Sequence, residues 1–352
     1  MKEAKEVKEA KEAKEAREAR EAREAIVDWI LLIVPGVIWG ASFLFIAEGL
    51  EAVGPNGVTF LRILFGFLAL SLFPGSRRGV PREAWMGIAG VALLWMAFPL
   101  SMFPLAEQRV SSALTGMLNG AVPLFISAVA ALLARRLPSR GILAGLGIGF
   151  GGAVLMALPS LGQGRSSTIG VLLILAALVS YGFALNIARP LQMKHGALPV
   201  IWRAQALALV VTAPLGLPEA LDARWSAGPL LSLVALGALG TGAAFVLTAM
   251  AAGRVGATKA SATAFLIPPV ALLLGVVLRG ESVSMIAVIG GAVCLLGALQ
   301  MRRAQITEVT KVTKETEVTE VTEGEVTEVR VTEGRVTSPS VSSVASVSSV
   351  TS

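Results

Sequence analysis

The stretch RVGATKASATAFLIPPVALLLGVVLRGE, at positions Arg254–Glu281, decides the fold. The uncharged run inside it is about as long as a helix that crosses a ~30 Å hydrocarbon layer. An earlier stretch has the same layout, because Arg109 and Pro123 recur as Arg254 and Pro268, 145 positions later in both cases (254 − 109 and 268 − 123). Two copies of one apolar stretch predict a duplicated membrane protein, and a repeat of this kind fixes the architecture.

The composition also indicates a membrane protein. Hydrophobic residues make up 54% of the chain and charged residues 15%, whereas a soluble domain has roughly 25% charged residues. Between Ile26 and Arg303 the chain holds 18 basic and 8 acidic residues, since the two ends take the other 12 basic and 16 acidic ones. This excess predicts contact with the anionic headgroups of a lipid bilayer. Nucleic acid is not an expected partner, because the basic residues lie in short separate loops.

Both ends of the chain lie outside the predicted fold. Residues 1–25 form a charged arm of Lys/Arg-Glu-Ala triplets, whose period of three fits neither a heptad nor an amphipathic stripe. We expect a solvated, partly helical arm, with a coiled-coil or partner-binding role as the alternative. Residues 304–352 are Thr-Glu-Val repeats followed by Ser/Val-rich sequence, and this low-complexity composition is typical of a disordered tail.

Apolar runs between charged turns predict an all-α integral membrane protein with ten transmembrane helices. Five helices form a first repeat at 26–160 and five form a second at 168–303, with a polar linker at 161–167. The predicted spans are 28–48, 56–73, 84–103, 110–134, 141–158, 168–188, 198–215, 229–251, 260–278 and 283–301.

The charges of the short loops orient the predicted bundle. If the N-terminus is cytoplasmic, ten basic residues lie in the inner short loops and four in the outer ones, as the positive-inside rule requires. Both termini are then cytoplasmic. Because each repeat has an odd number of helices, the second repeat must enter the membrane from the opposite side. Inverted repeats of this kind are the architecture of alternating-access transporters.

The order of short motifs in both halves resembles the EamA family of the drug/metabolite transporter superfamily. The motifs are Ile38-Trp-Gly40, Phe60-Leu-Arg62 and Val110-Ser-Ser-Ala113 with Pro123 in the first half, then Val255-Gly-Ala257, Pro268 and Gly280-Glu281 in the second. The resemblance implies a ten-helix exporter or permease for small-molecule solutes, such as amino acids or drug-like compounds, in a bacterial inner membrane. The chain departs from the family pattern at Arg135-Arg136, where the family commonly has Gly-Glu.

Polar side chains in apolar runs should face the interior of the bundle, because lipid offers them no hydrogen-bond partners. Three aromatic residues well inside the runs could form walls beside them. The candidates for a substrate path are Trp39, Ser42, Trp95, Asn119, Tyr181, Asn186, Thr241 and Thr263. Asn119 and Asn186 are the strongest candidates for contact with a solute. For half or more of these polar residues, the alternative role is a hydrogen bond between helices.

Four charged residues are candidates for gating or charge pairs: Glu48, Arg62, Glu107 and Arg203. Both arginines lie inside apolar runs, where a cation at the bilayer centre costs about 2.5–3.5 kcal/mol. They either reach toward the headgroups or, in the case of Arg62, close a gate by pairing with Glu48 or Glu107. No acidic residue lies near the middle of a predicted span, which favours facilitated diffusion or exchange over tight proton coupling.

We predict a transporter rather than an enzyme. An intramembrane enzyme is one alternative, but it would need a buried nucleophile with a base, or paired acids. A structural or lipid-handling membrane protein is the other alternative. No cofactor or metal is expected, because the one histidine and the one cysteine lie in different environments. The glycine-rich fifth and tenth spans should either pack on each other or form the face of a homodimer.

Overall fold

The computed structural model describes residues 2–161, 165–255 and 261–307. Within these residues the chain consists of helices and connecting turns, with no strand, so the all-α prediction is confirmed there. The predicted linker lies partly outside the described residues, at 162–164, and the predicted tail lies outside them from position 308. The packing described below concerns the compact unit Met1–Arg302.

The helices are numbered in chain order. They are α1 Lys2–Gly49, α2 Pro55–Ser71, α3 Arg82–Glu107, α4 Ser112–Ala134, α5 Arg140–Leu161, α6 Arg165–His195, α7 Ala197–Leu221, α8 227–255, α9 Thr263–Arg279 and α10 Met285–Thr307.

Eight of the described helices, all except α2 and α9, are long and apolar enough to cross a membrane. The helices α2 and α9 are also apolar but shorter, and α2 has 17 residues. A helix of that length rises roughly 26 Å, near the lower limit for a ~30 Å hydrocarbon core. Ten spans therefore remain a prediction.

The charged arm and the first predicted span form one helix. Helix α1 begins at Lys2 and continues to Gly49, although we expected only partial helix in the arm. Lys, Arg, Glu and Ala are all strong helix formers, and no glycine or proline interrupts them. Arg20 and Glu24 add an ion pair of 3.0 Å one turn apart.

Several helices extend beyond their predicted ends. Helix α3 ends at Glu107 rather than at 103, α6 ends at His195 rather than at 188, and α7 ends at Leu221 rather than at 215. Charged side chains mark the end of an apolar run, but they can reach water while the helical backbone continues. The extension of α3 makes Glu107 a helical residue, where the sequence indicated a loop.

Several polar side chains lie inside the bundle, beside a buried apolar core, and many large apolar side chains lie on its outside. Arg62 is 8% exposed and Gln205 is 0% exposed, whereas Leu231 and Val277 are 67% and 66% exposed. This distribution is the one expected where lipid surrounds the helices and polar groups must find partners within the protein.

Two helices contain a π-helical segment near the middle. These segments are Ala92–Ala97 in α3 and Leu236–Ala243 in α8, the third described helix of each half. A π-turn places one additional residue in the turn and displaces backbone carbonyls from the regular α-helical pattern. Those carbonyls can then accept hydrogen bonds from neighbouring helices.

Helices α4 and α9 are both interrupted near a proline. In α4 a new helical segment begins at Val122, and in α9 the 3₁₀ turn gives way to an α-helix at Ile267. Pro123 and Pro268 each occupy the first turn of the new segment. Proline fits there because the N–H that it lacks has no partner in a first turn.

The same two helices end in a left-handed residue. Arg135 follows α4 with φ 50° and ψ 34°, and Gly280 follows α9 with φ 64° and ψ 25°. The two positions are again 145 residues apart (280 − 135). Glycine adopts this conformation freely, but an arginine is strained in it.

Glycines allow α5 and α10 to pack closely on each other. A Cβ atom on Gly145 would lie 2.5 Å from the backbone nitrogen of Met301. A Cβ atom on Gly290 would lie 2.5 Å from the backbone nitrogen of Met156. Only glycine permits such an approach. Of the two roles expected for these helices, packing on each other is therefore present within one chain.

Glycines also bring the first helix of each half onto a partner helix. Gly40 of α1 packs on Val270 of α9, and Gly182 of α6 packs on Phe125 of α4. A Cβ atom would lie 2.6 Å from the Val270 Cβ in the first case and 2.9 Å from the Phe125 carbonyl oxygen in the second. The motifs Trp39-Gly40 and Tyr181-Gly182 thus occupy similar packing positions.

Candidate functional site

The displaced carbonyls of the π-helical segments accept hydrogen bonds from other helices. Trp39 Nε1 donates to the carbonyl of Gly240 at 2.9 Å, and Ser180 Oγ donates to the carbonyl of Leu94 at 2.7 Å. Gln205 Nε2 donates to the carbonyl of Thr241 at 2.7 Å. The π-segments therefore connect α3 and α8 to their neighbours in the bundle interior.

Arg62 lies at the centre of this interior network. Its Nε atom donates to Thr241 Oγ1 at 2.9 Å, and Thr241 Oγ1 donates to the carbonyl of Leu236 at 3.3 Å. The side chain is buried among the helices. Among the described residues Thr241 is its single hydrogen-bond partner, which leaves the terminal Nη groups available.

The carboxylate group of Glu107 is enclosed, although the residue as a whole is partly exposed. Both carboxylate oxygens are inaccessible to solvent and accept no hydrogen bond from the described residues. Neither of the acids expected to pair with Arg62 does so in the described part of the chain, because Glu48 pairs with Arg279 and Glu107 accepts no hydrogen bond there.

A polar cavity of about 480 Å³ reaches Glu107. It lies where α1 and α3 end and α4 begins. Its lining residues are Ala47, Leu50, Glu51, Glu107, Gln108, Val110, Ser111, Ser112, Arg279 and Glu281. The volume is in the range of small-molecule sites.

Glu281 connects the end of α9 to the start of α4. Its carboxylate accepts hydrogen bonds from the Ser112 N–H at 3.0 Å, the Ser112 hydroxyl at 2.8 Å and the Ala113 N–H at 2.8 Å. The first N–H groups of a helix have no partner within the helix, and a carboxylate there also interacts favourably with the helix dipole. Glu281 therefore caps α4 from the other half of the chain.

Ion pairs connect α1 to the second half at both of its membrane ends. Glu48 pairs with Arg279, which also lies 3.2 Å from Glu51. At the opposite end Asp28 pairs with Arg254 at 2.7 Å. Glu48 is thus engaged by Arg279 rather than by Arg62.

The structure brings two of the predicted aromatic walls together. Trp39 and Trp95 both contact Phe245 edge to face, with ring centroids 5.8 and 5.3 Å apart. Tyr181 lies in another aromatic group, 5.9 Å from Phe103. Phe245 was missed in the sequence, where nothing distinguishes it from other apolar residues of its run.

The remaining polar candidates make hydrogen bonds to backbone carbonyls. Ser42 bonds to Ile38 at 3.0 Å, Thr263 bonds to Leu32 at 2.9 Å, and Asn186 bonds to Ile126 at 3.1 Å and Gly182 at 2.8 Å. The amide of Asn186 therefore joins α6 to α4.

Asn119 and Arg203 have different surroundings. Asn119 is buried, and its Oδ1 atom has no hydrogen-bond partner in the described part of the chain. Arg203 is only partly buried at the start of α7. It donates to the Pro199 carbonyl at 3.2 Å and lies 5.6 Å from the Trp202 ring centre.

Comparison with known proteins decides the family. The sequence profile of the EamA-like transporter family matches residues 29–158 and 168–303, which is most of the chain. The chain belongs to the EamA-like transporter family. It is a membrane transporter.

Relatives of this EamA-like transporter are similar over most of their length. A probable terminal-alkyne amino-acid exporter of Streptantibioticus cattleyicolor is 27% identical over 77% of this chain and 92% of its own. The uncharacterized transporter YdfC of Bacillus subtilis is 28% identical over 74% of this chain and 86% of its own. The uncharacterized inner membrane transporter YedA of Escherichia coli is 29% identical over 71% of this chain and 82% of its own.

A solved protein shares the fold of this EamA-like transporter. Its crystal structure aligns with a TM-score of 0.54 at 20% sequence identity. The alignment covers 79% of this chain and 96% of the other. The likeness concerns the arrangement of the helices alone.

Proposed function

We propose that this transporter exports small metabolites by alternating access between two inverted five-helix repeats, 26–160 and 168–303. The cell inner membrane is the proposed location, with ten spans and both termini in the cytoplasm. The probable terminal-alkyne amino-acid exporter of Streptantibioticus cattleyicolor and the uncharacterized inner membrane transporter YedA of Escherichia coli support the solute class and the location. Transport requires no chemical step, so no cofactor enters the proposal.

The reciprocal contacts between α5 and α10 carry the proposal. Gly145 contacts Met301 and Gly290 contacts Met156, and each residue of one contact lies 145 positions from its counterpart in the other. When a two-fold axis relates two copies of a module, a contact from i to j implies the contact from j to i. A two-fold relation between five-helix modules supports inversion, because an odd number of helices reverses the direction of insertion.

Interior contacts between the proposed repeats support a solute path at their interface. Arg62 of the first repeat bonds to Thr241 of the second, and Trp39 bonds to Gly240. In transporters with inverted repeats the solute binds near the midplane, where the repeats meet. The predicted residues Trp39, Arg62, Trp95 and Thr241 all lie in this region.

Cysteine labelling tests the proposed orientation. Cys294 is 1% exposed, so an introduced cysteine is the accessible thiol. We expect Arg78→Cys and His195→Cys to react with a membrane-impermeant maleimide in inverted vesicles, and Gln108→Cys to react in intact cells. Labelling of the first two positions from opposite sides would contradict the inverted repeat.

Cross-linking tests alternating access. A disulfide-containing bis-maleimide should link Glu48→Cys to Arg279→Cys at one end of the bundle, and Asp28→Cys to Arg254→Cys at the other. We expect either link to reduce amino-acid flux from proteoliposomes at least tenfold, and a reductant to restore the flux. Single-cysteine variants treated in the same way are the controls. Undiminished flux in both linked variants would contradict alternating access.

A further inference from the structure

The turn between α4 and α5 concentrates positive charge. It reads RRLPSR at positions 135–140, and the chain has no acidic residue between Glu107 and Glu219. Its three arginines, Arg135, Arg136 and Arg140, are all exposed. None of them has an ion pair or a side-chain hydrogen bond within the part of the chain that the structure describes. The turn thus holds three cations that no described group neutralises.

Other arginines at the ends of the helices are engaged within the protein. Arg254 pairs with Asp28 at 2.7 Å. Arg77, in the turn between α2 and α3, donates from Nη2 to the Ser71 carbonyl at 2.6 Å. The arginines at 135–140 differ from these, because their guanidinium groups remain available for an anion that the chain does not supply.

The backbone at Arg135 also indicates a function for this turn. Arg135 is left-handed, with φ 50° and ψ 34°, and Gly280 has this conformation after α9. A glycine would allow the same turn without strain, so the turn itself does not require an arginine. A strained residue that persists where glycine would suffice suggests that its side chain has a role outside the fold.

The turn lies at a membrane surface, because α4 and α5 are both long and apolar enough to cross a bilayer. Large apolar side chains flank its arginines. Leu137 is 91% exposed within the turn, and Leu132, Leu133 and Leu143 are exposed on the adjoining helices. The turn therefore presents cations at the level of the headgroups and leucines at the level of the acyl chains.

We propose that the turn at 135–140 is a binding site for an anionic phospholipid. The guanidinium groups of Arg135, Arg136 and Arg140 bind the phosphate of the headgroup, and the acyl chains lie against the exposed leucines. Guanidinium groups suit this role, because they donate two parallel hydrogen bonds to a phosphate. The proposal concerns the lipid and is independent of the solute that the protein transports.

The neighbouring leucines favour a lipid over a soluble phosphate compound. A soluble anion would neutralise the arginines but would leave Leu137 and the leucines of α4 and α5 uncovered. A phospholipid satisfies both parts of the surface. Basic residues beside a membrane helix also meet the negative surface potential of the cytoplasmic leaflet, on which side we propose that this turn lies.

Lipid binding to the purified full-length chain tests the proposal. Phosphatidylglycerol with a fluorescent acyl chain is titrated onto the protein in micelles of a neutral detergent. We expect saturable binding, with phosphatidylcholine of the same acyl chains at least tenfold weaker. Glycerophosphoglycerol, which is the same headgroup without acyl chains, should not displace the lipid at equal concentration. Equal binding of the two lipids, or displacement by the free headgroup, would overturn the lipid site.

A pair of double variants locates the site. Each arginine near an anionic surface strengthens binding about fivefold, so Arg136→Gln with Arg140→Gln should weaken phosphatidylglycerol binding at least tenfold. Arg77→Gln with Arg78→Gln is the matched control, because it removes the same charge from another exposed turn. Helices α3 and α4 separate the two turns, and both can span the membrane, so both turns lie at the same surface.

The control double variant should bind phosphatidylglycerol within threefold of the unmodified chain. An equal loss of binding in both double variants would show that the lipid responds to charge spread over the whole surface, and the site would be disproved. Unchanged elution volume and thermal unfolding in detergent show that each variant is folded.

Arg135→Gly separates the side chain from the backbone. Glycine retains the left-handed turn and removes one guanidinium group, so phosphatidylglycerol should bind about fivefold more weakly. Without added lipid the same variant should be no less stable than the unmodified chain, because the strain is relieved. Unchanged lipid affinity in Arg135→Gly would contradict the assignment of Arg135 to the site.

Discussion

The turn after α4 and the turn after α9 have the same backbone and opposite charges. Arg135 and Gly280 are both left-handed, but Arg136 follows the first and Glu281 follows the second. Arg136 is exposed, whereas Glu281 reaches back to the first turn of α4. The comparison shows that a repeated fold preserves backbone geometry while the side chains at matched positions take different roles. The acidic turn connects the halves beside the cavity.

Glu281→Ala should have the largest effect on this comparison. The change removes three hydrogen bonds to a carboxylate and leaves two N–H groups of α4 without a partner. We expect a loss of about 2–3 kcal/mol in the free energy of unfolding, measured by thermal unfolding in detergent. Arg136→Ala, at the matched exposed position, should change it by less than about 0.5 kcal/mol. Equal effects of the two changes would show that the turns are equivalent.

Gly280→Ala should have the next largest effect. A Cβ atom there would meet no atom within 4 Å, so the change tests the left-handed backbone alone. We expect a loss of about 1–2 kcal/mol, measured in the same way. Gly79→Ala is the control, because a Cβ atom there also meets nothing within 4 Å and its φ is not left-handed. A loss at Gly79 as large as at Gly280 would refute the backbone explanation.

Arg279→Gln should have a smaller effect on stability than either of these changes. The Arg279 and Glu48 side chains are 24% and 31% exposed, so water and salt screen their attraction. We expect a loss of about 0.5–1 kcal/mol in the free energy of unfolding at low salt. The loss should be smaller in about 1 M salt. Arg254→Gln removes the more exposed ion pair with Asp28 and should lower the free energy of unfolding by a smaller amount. A cost that does not change with salt would contradict a screened ion pair.

Arg135→Gly should have the smallest effect and the opposite sign. Glycine relieves the left-handed strain at this position but gains freedom in the unfolded chain, so the two terms partly cancel. We expect a gain of about 0.5 kcal/mol in the free energy of unfolding. A decrease in the melting temperature would indicate that the Arg135 side chain contributes to packing.

The sequence predicts the class, the family and the helices of this protein well. Apolar runs and the spacing of Arg109, Pro123 and their counterparts depend on local composition, which a sequence displays directly. The helix ends were less predictable, because a charge such as that of Arg189 ends an apolar run without ending the helix. The number of membrane spans also remains a prediction, because the 17 residues of α2 are near the lower limit for a helix that crosses the membrane.

The sequence predicted several residues of the candidate site, but it could not predict which of them contact each other. Arg62 and Arg203 stand out in the sequence because charges are rare in apolar runs. The contact between Arg62 and Thr241 joins residues far apart in the chain and depends on a π-turn that no motif announces. The amide of Asn186 bonds to two backbone carbonyls, which a sequence cannot reveal. The predicted solute-path and gating residues remain predictions until flux is measured.

The π-turns of α3 and α8 have a mechanical consequence. One additional residue within a helix turns everything beyond it by about 100° relative to a regular α-helix. If that residue moved along the helix, the faces on either side of it would rotate while the helix ends kept their contacts. Trp95 lies within one such segment and Phe245 lies two residues beyond the other. Such a shift in α3 or α8 would rotate one half of the helix against the other beside Trp95 or Phe245.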